Sequence, residues 1–129
     1  MPMEVTILAW AGVLLVVQFT LMAVLINLQL GVAYTAGPRD ARQEPTGMAG
    51  RFYRAFNNMI EALVLFTLAV VVVTLGGVAS PATALAAKIF LAARIAYLPA
   101  YASGIPMLRS AIWGVGFAAT VFMVAQALL

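Results

Sequence analysis

Residues 5–30, VTILAWAGVLLVVQFTLMAVLINLQL, decide the fold. No charge interrupts them, and the uncharged stretch continues to Pro38. About 20 apolar residues cross the hydrocarbon of a bilayer as an α-helix, so this stretch spans it with some tilt. The leading Met1-Pro2-Met3-Glu4 is acidic where a cleaved export signal would be basic, and the apolar run is too long for one. The segment is read as a permanent span.

The rest of the chain repeats the pattern. Of its 129 residues 65% are hydrophobic and 9% charged, whereas a soluble domain carries about 45–50% apolar and about 25% charged residues. Gly31–Met48 breaks the hydrophobic run with Gly37-Pro38, Arg39, Asp40, Arg42, Glu44 and Pro45-Thr46-Gly47, an aqueous loop. Gly76-Gly77 with Ser80-Pro81 reads as a tight turn between helices, and Ser103-Gly104-Ile105-Pro106 as a second break. The expectation is an all-α integral membrane four-helix bundle, a single domain over residues 1–129. Its helices are expected near 5–32, 49–76, 82–102 and 107–128. Runs such as Val70–Val73 would also suit buried strands, but no turn-punctuated alternation supports a barrel.

Arg39, Arg42, Arg51 and Arg54 flank the long loop and Arg109 opens the fourth span, while the Gly76–Pro81 turn has no basic residue. The positive-inside rule then places Gly31–Met48 and Ala102–Leu108 in the cytoplasm and both termini opposite. The net charge of +3 is read as this topology signal and not as a nucleic-acid surface. With no cysteine and no histidine, the chain has no thiolate or imidazole for metal binding, nucleophilic attack or base catalysis. Chemistry must be electrostatic or come from the substrate.

Arg51, Arg54, Asn58 and Glu61 recur at spacings of 3, 4 and 3 and form one stripe on the second span. Arg94, Tyr97 and Tyr101 form another on the third. The two spans are antiparallel about the turn, so residues whose numbers sum to about 155–157 share a depth. That arithmetic pairs Glu61 with Arg94, Asn58 with Tyr97 and Arg54 with Tyr101. An ionised residue inside a span costs about 2.5–3.5 kcal/mol, so Glu61 and Arg94 are expected to meet. Together with Arg109 these groups suit an anionic polar ligand. Lys88 lies outside both stripes, to snorkel or pair elsewhere, and Asn27 and Gln29 are expected to hydrogen-bond between helices. Trp10 and Trp113 read as belt residues, and Gly12, Gly114 and Gly116 as close-packing positions.

Arg51-Phe-Tyr-Arg-Ala-Phe-Asn-Asn-Met-Ile-Glu61 resembles the second-helix signature of the MAPEG family, the membrane-associated proteins in eicosanoid and glutathione metabolism. Arg94-Ile-Ala-Tyr97-Leu-Pro-Ala-Tyr101, followed by Arg109-Ser110, is similar to its third- and fourth-helix signature. Length, span count and the long first loop agree across the chain. Gly50, Phe56 and Ala62 depart from residues common in relatives. The resemblance implies a bacterial-type homotrimer in the inner membrane, binding glutathione between subunits near the cytoplasmic face. As co-substrate, glutathione would attack a lipophilic electrophile or hydroperoxide, and no metal is implied. By position, Arg54, Asn58, Glu61, Tyr97 and Tyr101 would hold the peptide, with Arg51 and Arg94 in support. Arg109 would face the thiol and Ser110 would donate to the sulfur or cap its helix. The alternative within the same fold is a non-enzymatic lipid-binding or scaffold protein. A transporter is disfavoured because no inverted repeat is visible.

Overall fold

The computed structural model describes residues 1–129. Five helices follow in order: α1 Met3–Leu30, α2 Val32–Ala36, α3 Gly47–Leu75, α4 Pro81–Ser103 and α5 Pro106–Leu128. The four long ones are long and apolar enough to cross a membrane, and their ends fall within two residues of the expected spans. They run antiparallel in succession. α1 and α5 lie on opposite sides of the α3/α4 pair and do not touch each other.

Backbone chemistry sets most boundaries. Gly31, at φ +90°, ends α1 and returns its N–H to Asn27 O at 3.0 Å. The long loop is therefore only partly irregular: the break is confined to Gly31, and the apolar Val32–Ala36 resumes helix for one turn. Arg39 then closes α2, donating Nε and Nη2 to Thr35 O at 3.0 and 2.7 Å. Asn27 and Gln29 serve this loop. Asn27 Oδ1 accepts from Thr35 Oγ1, and Gln29 grips Thr46 through both backbone groups. At the other end of the bundle, Ser80 caps α4 in a reciprocal box with Thr83, and Pro81 occupies the first helical position, where no N–H is needed. Pro99 sits inside α4 and removes one interior hydrogen-bond donor without ending the helix.

The interior is a narrow column. Phe66 and Phe90 stack with centroids 4.0 Å apart, flanked by Met59, Val70, Val73, Ala87 and Met123. A Cβ at Gly116 would come into ordinary contact with Ala93 Cβ at 3.5 Å and with Phe90, so Gly116 does lie where α5 packs on α4. Gly12 and Gly114 have open space instead. Only 25 of 129 residues are buried, and Trp10, Val16, Val64, Leu85 and Phe122 all stand exposed. So much outward apolar surface is intelligible only against lipid. The chain is an integral, multi-pass membrane protein.

One contact ties the turn end shut. Glu4, 2% exposed, accepts a 2.6 Å hydrogen bond from Thr83 Oγ1, itself fully buried. Composition alone marks Glu4 as a surface charge at the chain start. Its placement follows from α1 beginning two residues earlier than expected and lying parallel to α4.

Candidate functional site

Asn58, on the polar stripe of α3, faces the start of α5 and the last two turns of α4, and between them is a cavity of about 320 Å³. Arg54 and Asn58 reach it from α3, Tyr97 and Tyr101 from α4, and Arg109, Ser110 and Trp113 from α5. Arg54 Nε donates to Tyr101 Oη at 3.1 Å, the pairing that the depth arithmetic gives. Arg109 lies over the Tyr101 ring, 4.8 Å from its centroid, and Tyr101 leans on Tyr97 at 5.6 Å. Each arginine thus has its flat face against an aromatic or its Nε engaged, which orients the rest of the guanidinium.

Asn58 and Trp113 also border a deeper chamber of about 130 Å³, with Glu61, Ala62, Phe90, Arg94 and Phe117. Leu65, Phe117 and Thr120 carry the space onward into an apolar groove between α3 and α5. The site is therefore graded along one line from cationic mouth to hydrocarbon.

Glu61 and Arg94 make no direct contact, although both line the deeper chamber. Arg94, 2% exposed, donates Nη1 to Asn58 Oδ1 at 2.9 Å and covers the Tyr97 ring at 4.1 Å. Its Nε and Nη2 have no protein partner. Depth arithmetic fixes height and not azimuth: at 100° per residue Glu61 stands about 60° further round α3 from the core than Asn58 does. Arg94 points inward and reaches Asn58, while Glu61 remains on the exposed face. The Asn58–Tyr97 pairing gives way with it, although both line the same cavity.

Arg51 and Ser110 each keep one part of their expected roles. Arg51 does not line the cavity. It donates Nη1 to Ala102 O at 2.8 Å, and its guanidinium lies against Gly104, whose φ of +78° ends α4. It fastens α3 to the end of α4. Ser110 caps nothing, since α5 starts at Pro106 with Ile105 before it, and its exposed side chain opens onto the cavity. Trp113, read as a belt residue, separates the two chambers; its spacing of four from Arg109 was the available signal. Gln18 was not singled out, and its amide is buried with neither atom hydrogen-bonded.

Fold and site together define a class: a small four-helix membrane protein with an arginine- and tyrosine-lined pocket at one end, opening into an apolar groove. Residues 7–129 match the family model of the MAPEG family, nearly the whole chain. The chain belongs to that family, the membrane proteins of eicosanoid and glutathione metabolism. Among curated proteins it has no significant match.

Proposed function

We propose that the chain is a glutathione-dependent membrane transferase or peroxidase that activates the glutathione thiol for attack on a lipophilic electrophile or hydroperoxide. The observation that carries this reading is the convergence of Arg54, Asn58, Tyr97, Tyr101, Arg109 and Ser110 on one cavity that continues into an apolar groove.

The donor set fits the tripeptide, with its two carboxylates, one ammonium and one thiol. Arg54 keeps its terminal nitrogens free of protein hydrogen bonds, and the Arg109 guanidinium lies over the Tyr101 ring with no hydrogen bond within the chain. These guanidiniums, with the Tyr97 and Tyr101 hydroxyls, suit carboxylates and amide carbonyls. Glu61, free of Arg94, suits the ammonium. Arg51 and Arg94 act at one remove, holding the helix end and Asn58.

Chemically the protein needs to supply only charge. Arg109 stabilises the thiolate, the proton leaves to water, and Ser110 donates to the sulfur. The sulfur lone pair then forms the C–S bond with an electrophilic carbon arriving along the groove, whose leaving group departs with its bonding pair. The exposed carboxylate of Glu61, among exposed Ile60, Val64 and Leu65, supports an assembly in which α3 faces other copies, a homotrimer. We place the loop end, with its arginines, on the cytoplasmic side of a bacterial inner membrane.

The test is calorimetric glutathione binding to purified protein in mild detergent, beside turnover of a hydrophobic aryl halide. Saturable binding with turnover is expected. Neither signal from folded protein would leave the non-enzymatic scaffold as the reading.

A further inference from the structure

Six of the seven basic residues, Arg39, Arg42, Arg51, Arg54, Arg94 and Arg109, lie in the loop-end half of the molecule; the seventh, Lys88, does not. It sits seven positions into α4, about 10 Å from the turn end at 1.5 Å per residue. The buried face of α4 is formed by Thr83, Ala86, Ala87, Phe90, Ala93 and Arg94. Lys88 is on the far side of the helix, exposed together with Leu85 and Ile95, at 58% and 55%. It points to lipid at membrane depth.

No acidic side chain of the chain neutralises it. Glu4 is buried and held by Thr83, and Asp40 and Glu44 are in the loop at the opposite end. Glu61 is fourteen positions from the end of α3, about 21 Å from the turn end. That is about 11 Å deeper than Lys88, so Glu61 of a second copy lies at the wrong height. An ammonium in hydrocarbon is costly, and a lysine stem relieves the cost by bending towards the nearer membrane surface. The anions waiting there are lipid phosphates.

Beside this lysine, between α4 and α5, is an all-apolar groove of about 470 Å³. Leu85 and Ile89, the residues one turn before and next after Lys88, form its near wall, and Ala86 and Ala118 lie within it. It occupies the same depth, from Ala82 at the turn end to Ile89. We propose that this groove and Lys88 form a binding site for one anionic glycerophospholipid of the turn-end leaflet, an acyl chain in the groove and the phosphate on the ammonium. The site is separate from the cavity at the loop end, with which it shares no residue.

Native mass spectrometry of the full chain, titrated with phosphatidylglycerol or phosphatidylcholine of identical acyl chains, tests this. The wild type should retain phosphatidylglycerol about fivefold better, the value of one lysine at an anionic surface. Lys88→Gln should erase that preference while keeping weak headgroup-independent retention. Ala118→Phe should fill the groove and lower retention of both lipids; Ala82→Leu, at its mouth, repeats the test if the first variant does not fold. Equal phosphatidylglycerol preference in wild type and Lys88→Gln overturns the proposal, as does unchanged retention in a folded groove variant. Loss of oligomers in Lys88→Gln with lipid retention unaltered would assign the lysine to a subunit contact and also overturn it.

Discussion

Replacing Asn58 by leucine removes the only protein hydrogen bond of a buried guanidinium. Arg94 is 2% exposed, its bond to Asn58 Oδ1 measures 2.9 Å, and Nε and Nη2 are already without partners. A net hydrogen bond to a charged group contributes about 1.5–3 kcal/mol, and stripping the partner from a buried charge costs about 3–5 kcal/mol. Contact with the Tyr97 ring at 4.1 Å persists and offsets about 1 kcal/mol. The expected loss is therefore about 3 kcal/mol. At about 4 °C per kcal/mol for a chain of this size, Tm falls by about 12 °C. Tryptophan fluorescence during thermal unfolding in detergent reads the change, with Trp113 beside Asn58 as the local probe. Arg94→Met in the same background should return most of the lost stability, because no charge then needs a partner. Asn58→Leu melting within about 2 °C of the wild type would show that Arg94 does not depend on Asn58, and the cycle would have nothing to rescue.

At the turn end, Thr83→Val keeps the shape but removes the hydroxyl that donates to buried Glu4 and accepts from Ser80 N. It should lower stability by about 2–4 kcal/mol, and an unchanged Tm would show that the Glu4 carboxylate is satisfied some other way. Gln18→Met should raise Tm, since a buried amide with neither atom bonded costs about 1–3 kcal/mol; a fall would show that the amide is held. Under the proposed function, Arg109→Ala should raise the pKa of bound glutathione's thiol by about three pH units, the equivalent of about 4 kcal/mol from a guanidinium at about 4 Å. Thiolate absorbance against pH measures this, and turnover should suffer at acidic pH and recover in base; an unmoved titration removes Arg109 from the thiol.

What was legible in the sequence is what periodicity and cost can express. Spans follow from the charge-free run Val5–Leu30, and the Arg54–Tyr101 contact follows from depth alone because both side chains point towards the same gap. Depth fails for Glu61 and Arg94, where the decision belongs to helix rotation, and one turn of register lets Asn58 take the arginine. Glu4 was invisible for a different reason. An acid at a chain start looks solvated until the helix is seen to begin at Met3 and run alongside the capped start of α4. The α2 turn and Pro99 are of the same kind, since short helices and tolerated prolines depend on context that composition does not carry.

The two ends of the bundle divide the work. At the turn end the Glu4, Ser80 and Thr83 side chains are bonded to one another within the chain, so this polar cluster is closed to a ligand. At the loop end the opposite holds: Arg94 keeps two donors unpartnered, Arg109 offers its edge, and Glu61 stands exposed on a membrane helix. A carboxylate so placed costs about 2.5–3.5 kcal/mol unless something meets it. No cation of the chain touches it directly, Arg94 having turned one nitrogen to Asn58. Under the proposed function the partner comes from outside the subunit, as a ligand ammonium, a neighbouring copy, or a ligand enclosed between copies. Under that same proposal the last satisfies the acid and covers the apolar face of α3 together, so glutathione binding and trimer formation should depend on one another. Glu61→Gln should accordingly weaken glutathione binding in the assembled protein while leaving the monomer's Arg94–Asn58 contact, and hence its intrinsic Tm, unaltered.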